Sequence, residues 1–397
     1  MGYYLRAMAV TVDALAEAAA MAAEFRVDAA ERDLAAGTPW PQRDRLRASG
    51  LLKLMIPSQY GGLGSDWPTT LRTIREIATA DGALAHLYGY HHLGLVTPHL
   101  LGTLEQRARW YEQTAREALM WGNALNPLDP RTTLKPATDG GSLLNGAKSF
   151  CTGAQGSDLL LVSATAAGVV QLQVAVLPTR RDGITVHDDW ANMGQRQTDS
   201  GSVSFVDVLV QPDDVLGPPG AGGSVWASLR PCVTQSILSN IFLGVAQGAF
   251  DEAAAYTRAL GKPFFGSIAE RATDDPYTLL HYGEMQAQLA ATTCLLDATN
   301  QRLQAAWERE DALTAEERGA CSAAVATGKV AAGKAALEIT SRIFEVMGAR
   351  ATSERYRFDR FWRNVRTLTL HDPLDYKARE VGDWVLNGRA PVPSHYS

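Results

Sequence analysis

The chain has 397 residues, 46% of them hydrophobic and 20% charged, with a formal net charge of −6. That length supplies more than one core, so two or three subdomains are expected; the acidic balance without any Lys/Arg block excludes a nucleic-acid binder. Four cysteines (Cys151, Cys232, Cys294, Cys321) lie far apart without CxxC spacing, which argues against a metal cluster or a disulfide framework and for a reducing cytoplasm.

In chain order, helical spacing of Ala, Glu and Leu predicts a first amphipathic helix over 12–34. A Pro/Gly break leads to a short helix over 42–48, and a Pro/Gly-rich loop over 54–64 precedes a helix over 68–80. The next helix, over 83–101, carries His86, Tyr88, Tyr90, His91, His92 and His99 in an otherwise apolar sequence. Any one histidine is more often satisfied inside a bundle than functional, but the clustering points to one or two facing a cavity. A helix over 105–117 closes this block. From 119 to about 216 the pattern changes to alternation, with strand-like runs at 159–164, 171–177, 183–187 and 202–210 between Gly, Pro and Asp clusters. Long helices follow over 229–260, 277–308, 315–347 and 371–386. The expected fold is α+β: a helical domain over 1–118, a compact β domain over 119–220, and a helical bundle over 221–397. No window is apolar enough to span a membrane, and no signal region is visible.

Several chemistries are excluded by their motifs. A phosphate loop, a dinucleotide fingerprint, a serine-hydrolase elbow and an HExxH zinc helix are all missing. One stretch stands out. Asn145-Gly-Ala-Lys-Ser-Phe-Cys-Thr-Gly-Ala-Gln-Gly-Ser-Asp158 reads as two strands joined at a small-residue corner, with Cys151 and Thr152 at its tip. It is either an ordinary hairpin or one wall of a site for a flat ligand. Trp121-Gly-Asn-Ala-Leu-Asn-Pro127 and the 189–201 segment, with Trp190, offer amides and an indole beside it. Late in the chain His371 and Asp372 stand together before the last helix, where Asp372 suits an N-cap.

These pieces together resemble the acyl-CoA dehydrogenase superfamily. The resemblance spans nearly the whole chain, through the helical–β–helical order, the Gly146–Gly153 run and the arginine-rich segment before the last helix. Tyr90-His91-His92, Gly122–Pro127, Gly194-Gln-Arg-Gln-Thr-Asp-Ser-Gly201, Asp274-Asp-Pro-Tyr277, Arg363 to Pro373 and the closing Pro393–Ser397 are similar to its flavin monooxygenase branch, which includes the dibenzothiophene and sulfone monooxygenases. The dehydrogenases use a glutamate before the last helix as base; here His371-Asp372-Pro373 fills that turn, poorly suited to the same geometry. Glu345 and Val346 stand where the dehydrogenases carry a glycine pair admitting the adenosine half of FAD, which favours FMN.

The resemblance implies a two-component monooxygenase that takes FMNH2 by diffusion from a separate NAD(P)H:flavin reductase. It would use O2 through a flavin C4a-hydroperoxide to oxidise a small apolar organosulfur compound. In that frame Thr152 would bond near the flavin N5, with Cys151 beside it. Asn123 and the backbone of Leu125 and Asn126 would meet the pyrimidine edge, and Trp190 would pack on the ring. His91 or His92, with His371 and Asp372, would face the reacting oxygen. Tyr88, Tyr90 and His91 would line the substrate. Lys262, beside Phe265, would pair with the FMN phosphate, with Arg271 and Tyr277 as weaker candidates. A homotetramer is expected on the same ground. The alternatives are an amine or amino-sugar N-oxygenase of this fold, an FAD-dependent acyl-CoA dehydrogenase with a displaced base, and a non-catalytic scaffold.

Overall fold

A computed structural model describes residues 2–137, 140–166, 168–218 and 221–397. The first block comprises α1 (Gly2–Arg26), α2 (Ala29–Ala35), α3 (Trp40–Ala48), α4 (Trp67–Ala78), α5 (Gly82–Leu101) and α6 (Leu104–Glu117). The single helix expected over 12–34 is thus two, because the chain turns between Arg26 and Ala29. Helix α5 is buried almost all round, which is why its sequence lacks a polar face. Asp81 caps its start, accepting from the Ala83 and Leu84 amides at 2.9 and 3.2 Å.

The middle segment forms one seven-stranded sheet from β1 (Trp121–Ala124), β2 (Thr133–Pro136), β3 (Ser142–Lys148), β4 (Leu159–Ala166), β5 (Val169–Pro178), β6 (Ile184–Val186) and β7 (Val203–Val210). The strand order is β1-β4-β2-β3-β7-β6, with β5 on β4. Strands β3 and β4 do not pair with each other: β3 lies between β2 and β7, and β4 runs parallel to β1 and β2. The 145–158 stretch is therefore a crossover corner, not a hairpin. Gly146 is obligatory at its entrance. It has φ +126°, and a Cβ there would lie 1.9 Å from the Arg131 carbonyl oxygen.

The last block holds α7 (Arg230–Leu260), α8 (Pro276–Trp307), α9 (Ala315–Met347), α10 (Asp359–Leu368) and α11 (Leu374–Asn387). Helix α10 was not anticipated. It packs against α9 and α7, and its Arg363 reaches back to Asp33 of α2 at 2.5 Å. The last helix starts at Leu374 with Pro373 at its N-cap and no side-chain cap, so Asp372 is not the cap expected of it. No described helix is long and apolar enough to cross a membrane, and no group of His, Cys, Asp or Glu suited to a metal ion occurs among the described residues.

Candidate active site

The corner after β3 is held by backbone. Cys151 N donates to the Gly201 carbonyl at 2.9 Å and Gly153 N to the Thr198 carbonyl at 2.8 Å, so the 195–201 segment lies along it. The Thr152 carbonyl accepts from Asn123 N at 2.9 Å. The Thr152 hydroxyl meets Ser200 Oγ at 3.0 Å, Ser200 meets Thr198 Oγ1 at 2.7 Å, and Thr198 donates to the Gln195 carbonyl at 2.9 Å. The result is a chain of neutral hydroxyls, each positioned by the next. Behind it, Arg43 pairs with Asp199 at 2.6 Å, both side chains nearly sealed from water. Burial pulls the Arg43 pKa down and pushes that of Asp199 up, each opposed by its partner. Phe150, Gln195 and Asp199 take left-handed φ of 57°, 55° and 46°. Three non-glycine residues in that region within one wall, at on the order of 1 kcal/mol each, mark a functional site.

Neighbouring groups complete the wall. The carbonyls of Leu125 and Asn126 accept from Ser163 Oγ and Lys148 Nζ, which fixes this loop against β3 and β4. Asn123 Oδ1 is sealed from solvent and has no partner among the described residues. Trp190 donates through Nε1 to the Gln195 carbonyl at 2.7 Å and lies edge-on to Phe150 at 6.0 Å; Phe150 is 61% exposed. Cys151 departs from the role expected of it. Its side chain is wholly inside the sheet core, where burial pushes the thiol up to about 12, so only its backbone belongs to the corner.

Across from this wall, α5 and the turn before α11 meet. Gln195 Oε1 lies 3.2 Å from His86 Nδ1, His86 stands edge-on to Tyr90 at 4.3 Å, and the Tyr90 hydroxyl lies 3.3 Å from His371 Nε2. His371 Nδ1 lies 3.1 Å from Asp372 Oδ1, which also takes Lys329 Nζ of α9; Lys329 in turn donates to Gln235 Oε1 of α7. Burial pushes the Asp372 carboxyl up, but the His371 hydrogen bond and the Lys329 charge outweigh it and hold the group well below the usual carboxylate range. Burial brings Lys329 down to about 8 against the pull of Asp372. The Tyr396 ring covers His371 at 5.6 Å, and its carbonyl accepts from Gln235 Nε2 at 3.1 Å.

Several expected residues fall outside this cluster. His91 is committed to backbone: its Nε2 lies 2.7 Å from the Leu52 carbonyl and its Nδ1 accepts from Trp121 N at 3.4 Å, leaving no nitrogen for chemistry. His92 packs edge-on to Tyr88 and His91, and burial holds it well below its ordinary pKa. Tyr88 turns to Thr73 Oγ1 of α4 at 3.2 Å. The helical period explains all three: positions 86 and 90 share the face toward the β wall, and 88, 91 and 92 look elsewhere. Lys262 and Phe265 lie exposed between α7 and α8, Phe265 against Phe264 at 4.3 Å. Arg271 is spent on Asp274 at 2.8 Å. Conversely, Lys329, Gln195 and Ser200 were not singled out as site residues. The sequence does not separate Lys329 from Lys334, which stands in the same small-residue helix and is exposed; packing alone buries the first and pairs it.

A helical block, a sheet with a hydroxyl-lined corner and a helical bundle closing over it define a three-part flavoenzyme architecture. Family models agree along the chain: the N-terminal, middle and C-terminal domains of acyl-CoA dehydrogenase match residues 11–118, 123–208 and 236–376. The chain belongs to the acyl-CoA dehydrogenase family. Among its relatives, the probable FMNH2-dependent monooxygenase SfnC of Pseudomonas putida is 48% identical, with 97% of each chain covered. Of solved structures, methanesulfinate monooxygenase MsuC from Pseudomonas fluorescens superposes with a TM-score of 0.94 at 48% identity, covering 96% of this chain and 99% of that one. The dibenzothiophene monooxygenase TdsC from Paenibacillus sp. A11-2, in its FMN-bound form, gives 0.93 at 46% identity, covering 97% and 100%.

Proposed function

We propose that this protein is an FMNH2-dependent monooxygenase that transfers one atom of O2 to the sulfur of a small organosulfur compound, with FMNH2 delivered by a separate NAD(P)H:flavin reductase. The observation that carries this reading is the commitment of Asp372. Against the upward push of burial, His371 and Lys329, both on its Oδ1, hold the carboxyl well below the usual carboxylate range. It is too weak a base to remove a substrate α-proton, which counts against an acyl-CoA dehydrogenase; the same contacts orient His371. The relatives at 46–48% identity, monooxygenases by name and one of them FMN-bound, support it.

The residues fit the cofactor. The orphaned Asn123 Oδ1 suits a flavin ring N–H, and the Leu125–Asn126 loop suits its carbonyls. Reduced FMN, when bound, supplies the two electrons that activate oxygen. The chain's part is to place protons and exclude water. Thr152, fixed by Ser200, would offer its hydroxyl to the flavin edge. Asp372 accepts the Nδ1 proton of His371, which leaves Nε2 facing Tyr90 and the reacting oxygen. Lys329 keeps Asp372 ionised and is a positioning residue. Tyr396 and Trp190 exclude water from the two ends.

We take the functional units as 1–118, 119–220 and 221–397, and the assembly as a homotetramer. The exposed apolar side chains of Phe264, Phe265, Ile268, Tyr277, Leu279 and Leu280 support contact between copies, and we take Lys262, exposed beside them, as the partner of the FMN phosphate. The test is turnover with a flavin reductase, NADH and isotopically labelled O2 across sulfides, sulfoxides, sulfones and sulfinates, read by product mass. One labelled oxygen at sulfur is expected. Flavin oxidation to peroxide alone, with every member of the panel, defeats the reading.

A further inference from the structure

Arg230 opens α7 beside the same cluster and has no part in the account above. Its Nε donates to Thr97 Oγ1 at 2.9 Å, and Thr97 is itself tied to the Leu93 carbonyl of α5 at 2.7 Å, so the guanidinium is held in one orientation. Its Nη2 is sealed from solvent and finds no partner among the described residues. Arg43, Arg75 and Arg360 each reach a carboxylate at 2.6–2.7 Å. Arg230 does not. Asp372 takes Lys329 and His371 on Oδ1, and among the described residues no salt bridge joins its unpartnered Oδ2 to Arg230. Arg230 opens the helix whose Gln235, little more than one turn on, donates to the Tyr396 carbonyl and accepts from Lys329. That places it at the edge of the His371 cluster, and its charge is felt at Tyr90 and His395. Burial lowers its pKa to about 10, which still leaves it charged at neutral pH.

A partly buried guanidinium with a sealed, unpaired Nη2 and no counter-ion is unfavourable, and an orphaned donor at the edge of a reaction site is completed by what the site binds. We propose that Arg230 is the anion-recognition residue of this site and that its substrate class is the small organic sulfinates. This rests on the monooxygenase reading and narrows it. The charge and the reacting sulfur must both lie within one side chain's reach, because Arg230 stands at the edge of the His371 cluster. A neutral sulfide or sulfone gives the guanidinium no counter-charge. A sulfonate gives the charge but has no lone pair left on sulfur. A sulfinate has both: two anionic oxygens for Arg230 and an oxidisable sulfur between them. The reaction balances with the co-reactants of the proposed activity. One atom of O2 becomes the third oxygen on sulfur, giving a sulfonate. The other leaves as water, taking the two electrons and two protons of FMNH2.

The test is calorimetric titration of methanesulfinate, the smallest alkyl sulfinate, into protein saturated with oxidised FMN, for the unmodified chain, Arg230→Gln and Arg230→Lys. Binding is expected in the unmodified protein, weakened roughly 100-fold in R230Q by loss of a buried charge pair. R230K should recover part of it, keeping the charge without the fork. FMN titration of each variant reports whether the fold is intact. Equal affinity in R230Q, or no sulfinate binding by a protein that oxygenates neutral organosulfur compounds, overturns the assignment and leaves the oxygenase reading standing. Arg230-dependent methanesulfinate binding without oxygen transfer to any substrate would keep the anion site and defeat the oxygenase reading instead.

Discussion

The corner around Thr152 and the turn around His371 are both buried and polar, yet they are built from different materials. The corner is a relay of neutral hydroxyls, Thr152–Ser200–Thr198, set by backbone hydrogen bonds and three left-handed residues, with its one ion pair, Arg43–Asp199, behind the wall. The turn has charge at its centre: Lys329, Asp372 and His371 share one carboxylate oxygen. Neutral donors can meet a flat ring without imposing a charge on it; a compensated ionic cluster can fix the tautomer of a histidine whose proton matters. Removing a piece of each should therefore have different consequences.

The largest effect is expected from Lys329→Met. It strands the Asp372 carboxylate in a site where Lys329 is fully buried, and should cost about 3–5 kcal/mol of stability in denaturant unfolding. A loss below 1 kcal/mol would mean the cluster is wetter than its geometry.

Acid sensitivity comes next. Burial holds His86 near 3, His91 near 4 and His99 near 3, with His92 well below its ordinary value. All four are neutral in the folded chain below pH 6.5, while the unfolded chain takes up protons there. Stability should thus be intact above the ordinary histidine value and fall as pH drops below it, with a slope approaching about 5 kcal/mol per pH unit from the four together. Unfolding free energies measured from pH 7 to 5 check this, and a flat profile would contradict it.

The corner should respond through coupling. Thr152→Ala removes one neutral hydrogen bond, about 1 kcal/mol of stability, but should divert several-fold more reduced flavin to peroxide. Peroxide yield per FMNH2 is the readout; unchanged coupling would remove Thr152 from the reaction. The smallest effect belongs to Lys262→Ala. No stability change is expected for an exposed lysine, and FMN affinity should fall roughly 10-fold if a neighbouring copy's phosphate rests on it.

The contrast also explains what could be read from sequence. The long helices α7, α8 and α9 and the strands β4 to β7 follow from periodicity and turn residues, which are local. The pairing of β3 with β7 rather than β4 is decided by Gly146 against Arg131 and by the 195–201 segment, neither visible in the stretch itself. Helix α10 was legible though not anticipated: Phe361, Val365 and Leu368 recur at i, i+4 and i+7 and form the face it buries, while Arg360 and Arg363 reach the distant carboxylates of Glu252 and Asp33. At the site, Thr152, Trp190 and His371 were expected from their local sequence, a small-residue corner, a lone indole and a His-Asp pair, and the resemblance added the roles proposed for them. His91 was misassigned and Lys329 missed, because which face a helical residue presents and which charge it meets are set by tertiary packing.

The central claim is that Asp372, held by Lys329, positions His371 for oxygen transfer. It is tested most directly by measuring, under labelled O2, the ratio of oxygenated product to FMNH2 consumed in the unmodified protein and in Asp372→Asn. The account predicts near-stoichiometric label at sulfur in the former, and in the latter a fall of at least roughly tenfold with matching peroxide, FMN binding being retained. Equal ratios in the two proteins would contradict it.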